Sequence, residues 1–135
     1  MRALALCVVM AACSSTKPEA ASLVAAVDQF HRASNEDRPA RADELGKVPC
    51  QDAEVCAAKA ACVEATGATG SALRIKHDAE AVLADLEAGK RQKTDPEVRA
   101  LPGQLELATA RLKEGHDKMP LCDQRVVVLR GKYGI

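Results

Sequence analysis

Six cysteines and three histidines are the side chains in this 135-residue sequence suited to metal, redox or nucleophilic chemistry. Their spacing excludes most of it. His31, His77 and His116 fall in separate segments, with no H-x-x-x-H or H-E-x-x-H pair to set two imidazoles on one helical face. Each reads as a surface or boundary histidine. Cys50, Cys56 and Cys62 form C-x₅-C-x₅-C, which lacks both the closer-spaced knuckle of a zinc site and the C-x-x-C of a redox pair. The stretch Gly67-Ala68-Thr69-Gly70-Ser71 has neither the lysine nor the preceding strand of a phosphate loop. Asp78, Glu80, Asp85 and Glu87 lie among basic residues at helical intervals, the pattern of a solvated face. No serine nucleophile motif is present. The expectation is a protein without catalytic residues, metal or bound cofactor, and so not an enzyme.

The N-terminus carries more information. Arg2 precedes the apolar run Ala3-Leu4-Ala5-Leu6-Cys7-Val8-Val9-Met10, and small residues lead directly to Cys13. This is the layout of a secretory signal, too short to span a bilayer, which needs about 20 apolar residues. Met10-Ala11-Ala12-Cys13 resembles the lipobox of bacterial lipoproteins: an aliphatic residue, two small ones, then the cysteine to be acylated. The resemblance implies cleavage after Ala12 and a covalent lipid on Cys13. Met10 stands where the family most often has leucine. Cys7 does not fit the pattern, because Leu6 would occupy the small-residue position before the cut. In that family an aspartate after the cysteine favours inner-membrane retention, so Ser14 implies the outer membrane. The chain then divides into a signal peptide at 1–12, a lipidated cysteine and Ser/Thr/Lys/Pro linker at 13–19, and a single helical domain at 20–135.

With Cys7 removed and Cys13 acylated, Cys50, Cys56, Cys62 and Cys122 remain, an even number that reads as two disulfides in an exported chain. The segment 52–62 is a helix by propensity, with Asp52 placed to cap it. Six helical residues rise about 9 Å, whereas a disulfide tolerates at most about 7 Å between α-carbons. Cys56 cannot pair with Cys62. Cys62 also lies about 15 Å up the helix, beyond reach of Cys50 in the loop below. Cys50–Cys56 with Cys62–Cys122 is the pairing left.

The elements that must position these cysteines give the same answer. Ala58, Ala61, Ala65, Ala68, Ala72, Ile75, Ala79, Val82 and Leu86 follow intervals of three and four, as do Val98, Leu101, Leu105, Ala108, Leu112, Gly115 and Met119 after the helix start Asp95-Pro96. The polar stretch from Gly89 to Thr94 separates the two. Folded antiparallel about that turn, Leu86 meets Val98, Ala79 meets Leu105, Ala72 meets Leu112 and Ala65 meets Met119, each pair of numbers totalling 184. Cys62 and Cys122 total the same. The register sets Gly115 across from Ala68 and near Gly67, a close approach of small residues; a break at 67–70 is the competing reading. Pro102 is expected to kink the returning helix and Pro120 to end it, opening a last one through Cys122, Val126, Leu129 and Tyr133. Residues 20–34 form a further amphipathic helix with Leu23, Val27, Phe30 and Ser34 on one face, followed by a turn and a short helix at 40–45.

Composition agrees with that architecture. Alanine supplies 26 residues, and Phe30 and Tyr133 are the only aromatics, which suits helices packed through small side chains and not a sandwich or barrel. The fold class is all-α: a small three- or four-helix bundle around a long antiparallel helical hairpin stapled by two disulfides. Nineteen basic and nineteen acidic residues cancel, so no nucleic-acid partner is implied. Lys90, Arg91 and Lys93 at the hairpin tip are candidates for contact with an anionic surface, such as lipid headgroups or cell-wall carboxylates. The cysteine pattern with Met119-Pro120-Leu121-Cys122-Asp123 is similar to small uncharacterised lipoproteins of high-GC Gram-negative bacteria such as myxobacteria, a resemblance that brings no activity with it. The expected role is a lipid-anchored structural or interaction module of the cell envelope, outer-membrane attached and facing the periplasm, with an envelope protein or cell-wall partner. The other class considered is a periplasmic ligand-binding or chaperone-like protein with an apolar groove between its N-terminal helix and the hairpin.

Overall fold

A computed structural model describes residues 16–135; Cys7, Cys13 and the lipobox lie outside the described residues. Four helices follow one another: α1 (Thr16–Arg32), α2 (Arg38–Lys47), α3 (Ala53–Glu87) and α4 (Pro96–Tyr133). No strand occurs among the described residues. The all-α hairpin bundle is therefore the observed fold.

Local signals explain most helix ends. The Asp52 carboxylate accepts from the Glu54 and Val55 amides at 2.9 and 3.2 Å, capping α3 as its position implies. At the other end Gly89 takes φ 72°, a left-handed turn open to glycine without strain. Asp95 precedes Pro96 at the start of α4, but its side chain accepts from the Gln92 amide instead of capping the helix. Thr16 to Glu19, expected as linker, are already helical, with Pro18 in the first turn where its missing N–H costs no helical bond. α1 stops at Arg32, and Ser34 leaves the expected helical face to bond Asp37.

The core sits at the open end of the hairpin. Leu23 and Val27 of α1, Leu45 of α2, Val55, Ala58, Cys62 and Ala65 of α3, and Cys122, Val126 and Leu129 of α4 bury together. α1 spans about 25 Å, whereas α3 and α4 span about 52 and 57 Å. α1 and α2 therefore cover only part of the hairpin. The outermost links are His31 Nε2 to Asp123 Oδ1 at 3.1 Å, and the Arg74 guanidinium to the Asp43 carboxylate at 2.6 Å and the Pro39 carbonyl at 3.0 Å. Beyond them α3 and α4 continue as a two-helix arm.

Three sequence expectations need correction. α4 runs unbroken through Pro120, the expected end of that helix, and Pro102 also lies inside it. Both prolines are exposed, and so is His116, the residue whose carbonyl loses its helical donor at Pro120. α3 is continuous through Gly67–Gly70, but Gly67 is exposed and a β-carbon there would meet nothing within 4 Å. The close approach belongs to Gly115 against Thr69 and Ala65, and separately to Gly70, where a β-carbon would lie 3.2 Å from Ala42 Cβ and 3.3 Å from Pro39 Cα. Leu105 and Leu112, placed in the seam by their spacing, are 43% and 50% exposed.

Candidate functional site

Two places on this frame collect unusual side chains: the stapled end and the bare arm. At the stapled end Cys62 and Cys122 join α3 to α4, with α-carbons 4.5 Å apart and both residues fully buried. Cys50–Cys56 joins the loop before α3 to its first turn, with α-carbons 5.3 Å apart and both residues only half-buried. Both pairings are those expected from helix rise. Thr66 and Thr69, buried on the same helix, donate to the Cys62 and Ala65 carbonyls and leave no hydroxyl unsatisfied.

Charge reinforces the register. Lys118 of α4 reaches Glu64 of α3 at 3.4 Å, and Lys132 pairs with Glu54. On α4 itself Lys118 and Arg111 each lie 2.8 Å from the Glu114 carboxylate. Hydrogen bonds from Lys118 and then Arg111 hold the Glu114 carboxyl below its ordinary value, and Glu114 in turn raises Lys118. Glu54, followed by Tyr133, raises Lys132. Arg130 clasps Asp28 of α1 through contacts of 2.6 and 2.7 Å to both carboxylate oxygens.

Glu19 was invisible to motif reading. Its carboxylate reaches from α1 to the loop before α3, accepting from the Gln51 amide and, at 3.4 Å, from the Asp52 amide. The one sequence signal is its place four residues before Leu23, at the edge of the buried face of α1. This brings Glu19 beside Cys50 and Cys56, with one donor atom from each residue within 4.8 Å of the others. It is the one such group of three among the described residues. The three histidines stay apart: His31 faces Asp123, while His77 and His116 are exposed elsewhere.

The hairpin tip is less free than its sequence suggests. Arg91 pairs with Glu97 and lies 3.5 Å from Asp85, which also draws Lys90 at 3.5 Å. Arg91 is thus part of the turn's own structure. Lys93 is exposed.

Apolar surface shows at the stapled end, on Leu121, Val127 and Val128, and along the arm, on Leu83, Leu105, Leu107 and Leu112. Leu101, Ala108, Gly115, Cys122 and Leu129 recur every seventh residue of α4 and are buried along its whole length. A neighbouring line, Leu105, Leu112, Met119 and Val126, has the same period but a gradient of burial. Val126 is 6% exposed and Met119 is partly buried against the core, whereas the two leucines further along the arm are half open. The expected groove between α1 and the hairpin is filled by Leu23, Val27, Leu45 and Val55, all 0–1% exposed. A hollow of about 480 Å³ opens instead beside the α1–α2 turn among polar residues including Asn35, Glu36, Arg74 and His77. No described helix is long and apolar enough to cross a membrane. No protein-family model, curated protein or solved structure matches the chain.

Proposed function

We propose that this chain is a cell-envelope lipoprotein, held to the outer membrane by lipid on Cys13, that acts without catalysis as a structural or interaction module facing the periplasm. The observation that carries the reading is the pairing of all four cysteines downstream of Cys13 into disulfides. Disulfides of this kind form in oxidising compartments, and neither pairing uses Cys13. The arm supports the interaction role: it extends past the core and presents Leu105 and Leu112 half exposed, on a line that α1 covers further down. Its partners in this reading are the membrane, through the anchor, and an envelope protein or cell-wall polymer at the arm.

Metabolic labelling with an alkyne palmitate analogue tests the anchor. One acyl chain holds a protein only marginally and two or more hold it stably, so labelled protein should stay with membranes through salt extraction. Cys13→Ala should be unlabelled. Wild-type protein that takes no label overturns the reading.

The half-exposed leucines also favour a second reading, in which the arm holds unfolded or lipid-like clients as a chaperone-like binder. Suppression of a model client's aggregation near stoichiometric ratio, lost on replacing Leu105 and Leu112 with lysine, would select it. Aggregation unaffected by the wild-type protein would leave the first.

A further inference from the structure

We propose that Glu19, Cys50 and Cys56 form a redox-gated site for one thiophilic divalent cation of the zinc class, closed while the cysteines are disulfide-bonded and open as a two-thiolate, one-carboxylate chelate once they are reduced. The site draws on three elements: Glu19 in α1, Cys50 in the loop before α3 and Cys56 in the first turn of α3. Their donor atoms already lie within 4.8 Å of one another, so opening the S–S bond needs only a small parting of the sulfurs to admit an ion. Glu19 is held in place by the Gln51 and Asp52 amides, and neither bond involves sulfur. These bonds tie Glu19 to the loop that carries Cys50, and each carboxylate oxygen keeps a further lone pair for a metal.

Access separates this disulfide from the other. Cys50 and Cys56 are half-buried, whereas Cys62 and Cys122 have no exposed surface. An open hollow of about 270 Å³, lined by Pro18, Glu19, Ser22, Pro49 and Gln51, lies on the Glu19 side of the group. A small dithiol reductant reaches the first pair and not the second. Its thiolate attacks Cys50 Sγ, forming a mixed disulfide and expelling the Cys56 thiolate. The reductant's second thiol then displaces Cys50, leaving two protein thiols and a cyclised, oxidised reductant. A divalent ion displaces the two thiol protons as it forms two metal–sulfur bonds. Glu19 supplies the third ligand, and the solvent side leaves the fourth position to water, as in three-ligand zinc sites. Thiol exchange with a small disulfide oxidant, itself reduced to two thiols, restores the Cys50–Cys56 bond and releases the ion.

The test uses the intact chain. After treatment with limiting dithiothreitol, alkylation and peptide mapping should mark Cys50 and Cys56 and leave Cys62–Cys122 joined. Cadmium alone, titrated into that protein after removal of the reductant and followed by thiolate charge-transfer absorbance, should saturate at one ion per chain with two protons released, while the oxidised protein takes up none. Glu19→Gln should keep the alkylation pattern and weaken binding about tenfold or more, and the Cys50→Ser, Cys56→Ser double variant should abolish it. Opening of Cys62–Cys122 first, no saturable uptake by reduced wild-type protein, or unchanged affinity in Glu19→Gln would each overturn the proposal. The wild-type titration decides the point whether or not a variant folds.

Discussion

Gly115 of α4 lies so close to Thr69 of α3 that a β-carbon built on the glycine would stand 2.2 Å from the threonine hydroxyl, and 2.9 Å from the Ala65 carbonyl oxygen. The second neighbour is backbone and cannot swing aside, so any side chain at 115 must part the helices at the centre of the hairpin. Gly115→Ala should destabilise by about 1–3 kcal/mol, despite the gain of about 1 kcal/mol in helix propensity. Gly67→Ala is the control, because its β-carbon would meet nothing. It should stabilise by about 1 kcal/mol. Denaturant midpoints for the two variants should move in opposite directions.

The staples should contribute unequally. Cys62–Cys122 closes a sequence separation of 60 and Cys50–Cys56 one of 6. Chain-entropy reasoning gives about 4 kcal/mol for the first and about 2 kcal/mol for the second. Replacing Cys62 and Cys122 with alanine should therefore lower the melting temperature more than replacing Cys50 and Cys56. Circular dichroism at low temperature should still show helix in both double variants, since the seam does not depend on sulfur.

Helix rise and heptad arithmetic made the pairing of Cys62 with Cys122 legible before any coordinates, because two independent constraints met at one register. The same arithmetic misled at Leu105 and Leu112. Period seven places a residue on a line facing a partner helix, but whether that line is buried depends on a third helix, and α1 ends short of it. Pro120 misled for another reason. Proline forbids one hydrogen bond and crowds one carbonyl, and where that carbonyl belongs to an exposed residue, with a disulfide two residues on and Lys118 tied to Glu64, the helix continues. Glu19 left no motif because its partners are backbone amides more than thirty residues away.

Glu114 gives a test by pH. Its carboxyl is held below the ordinary 4.5 by Lys118 first and Arg111 second. A carboxyl depressed in the folded state adds stability that is fully present above its unfolded value and is lost as pH falls through the folded one. The carboxyl carbon of Glu114, followed by NMR, should titrate with a midpoint below 4.5. Lys118→Ala should bring the midpoint up toward the ordinary value, and by more than Arg111→Ala does. Equal midpoints in all three proteins would show that the triad does not persist in solution.

Two leucines separate the core from the arm. Leu23 of α1 is wholly buried among residues of all four helices, whereas Leu112 of α4 is 50% exposed. Leu23→Ala removes a side chain from a packed interior and leaves a cavity, and should cost about 2–5 kcal/mol. Leu112→Ala gives up only part of that burial, about 1 kcal/mol or less by transferred area. A double change of Leu105 and Leu112 to lysine should accordingly leave the thermal transition close to wild type, while removing crosslinks formed in cells by a photoreactive residue at Thr109, between them. If Leu112→Ala proved as costly as Leu23→Ala, the arm's leucines would belong to the core, and the surface they offer to a partner would not exist.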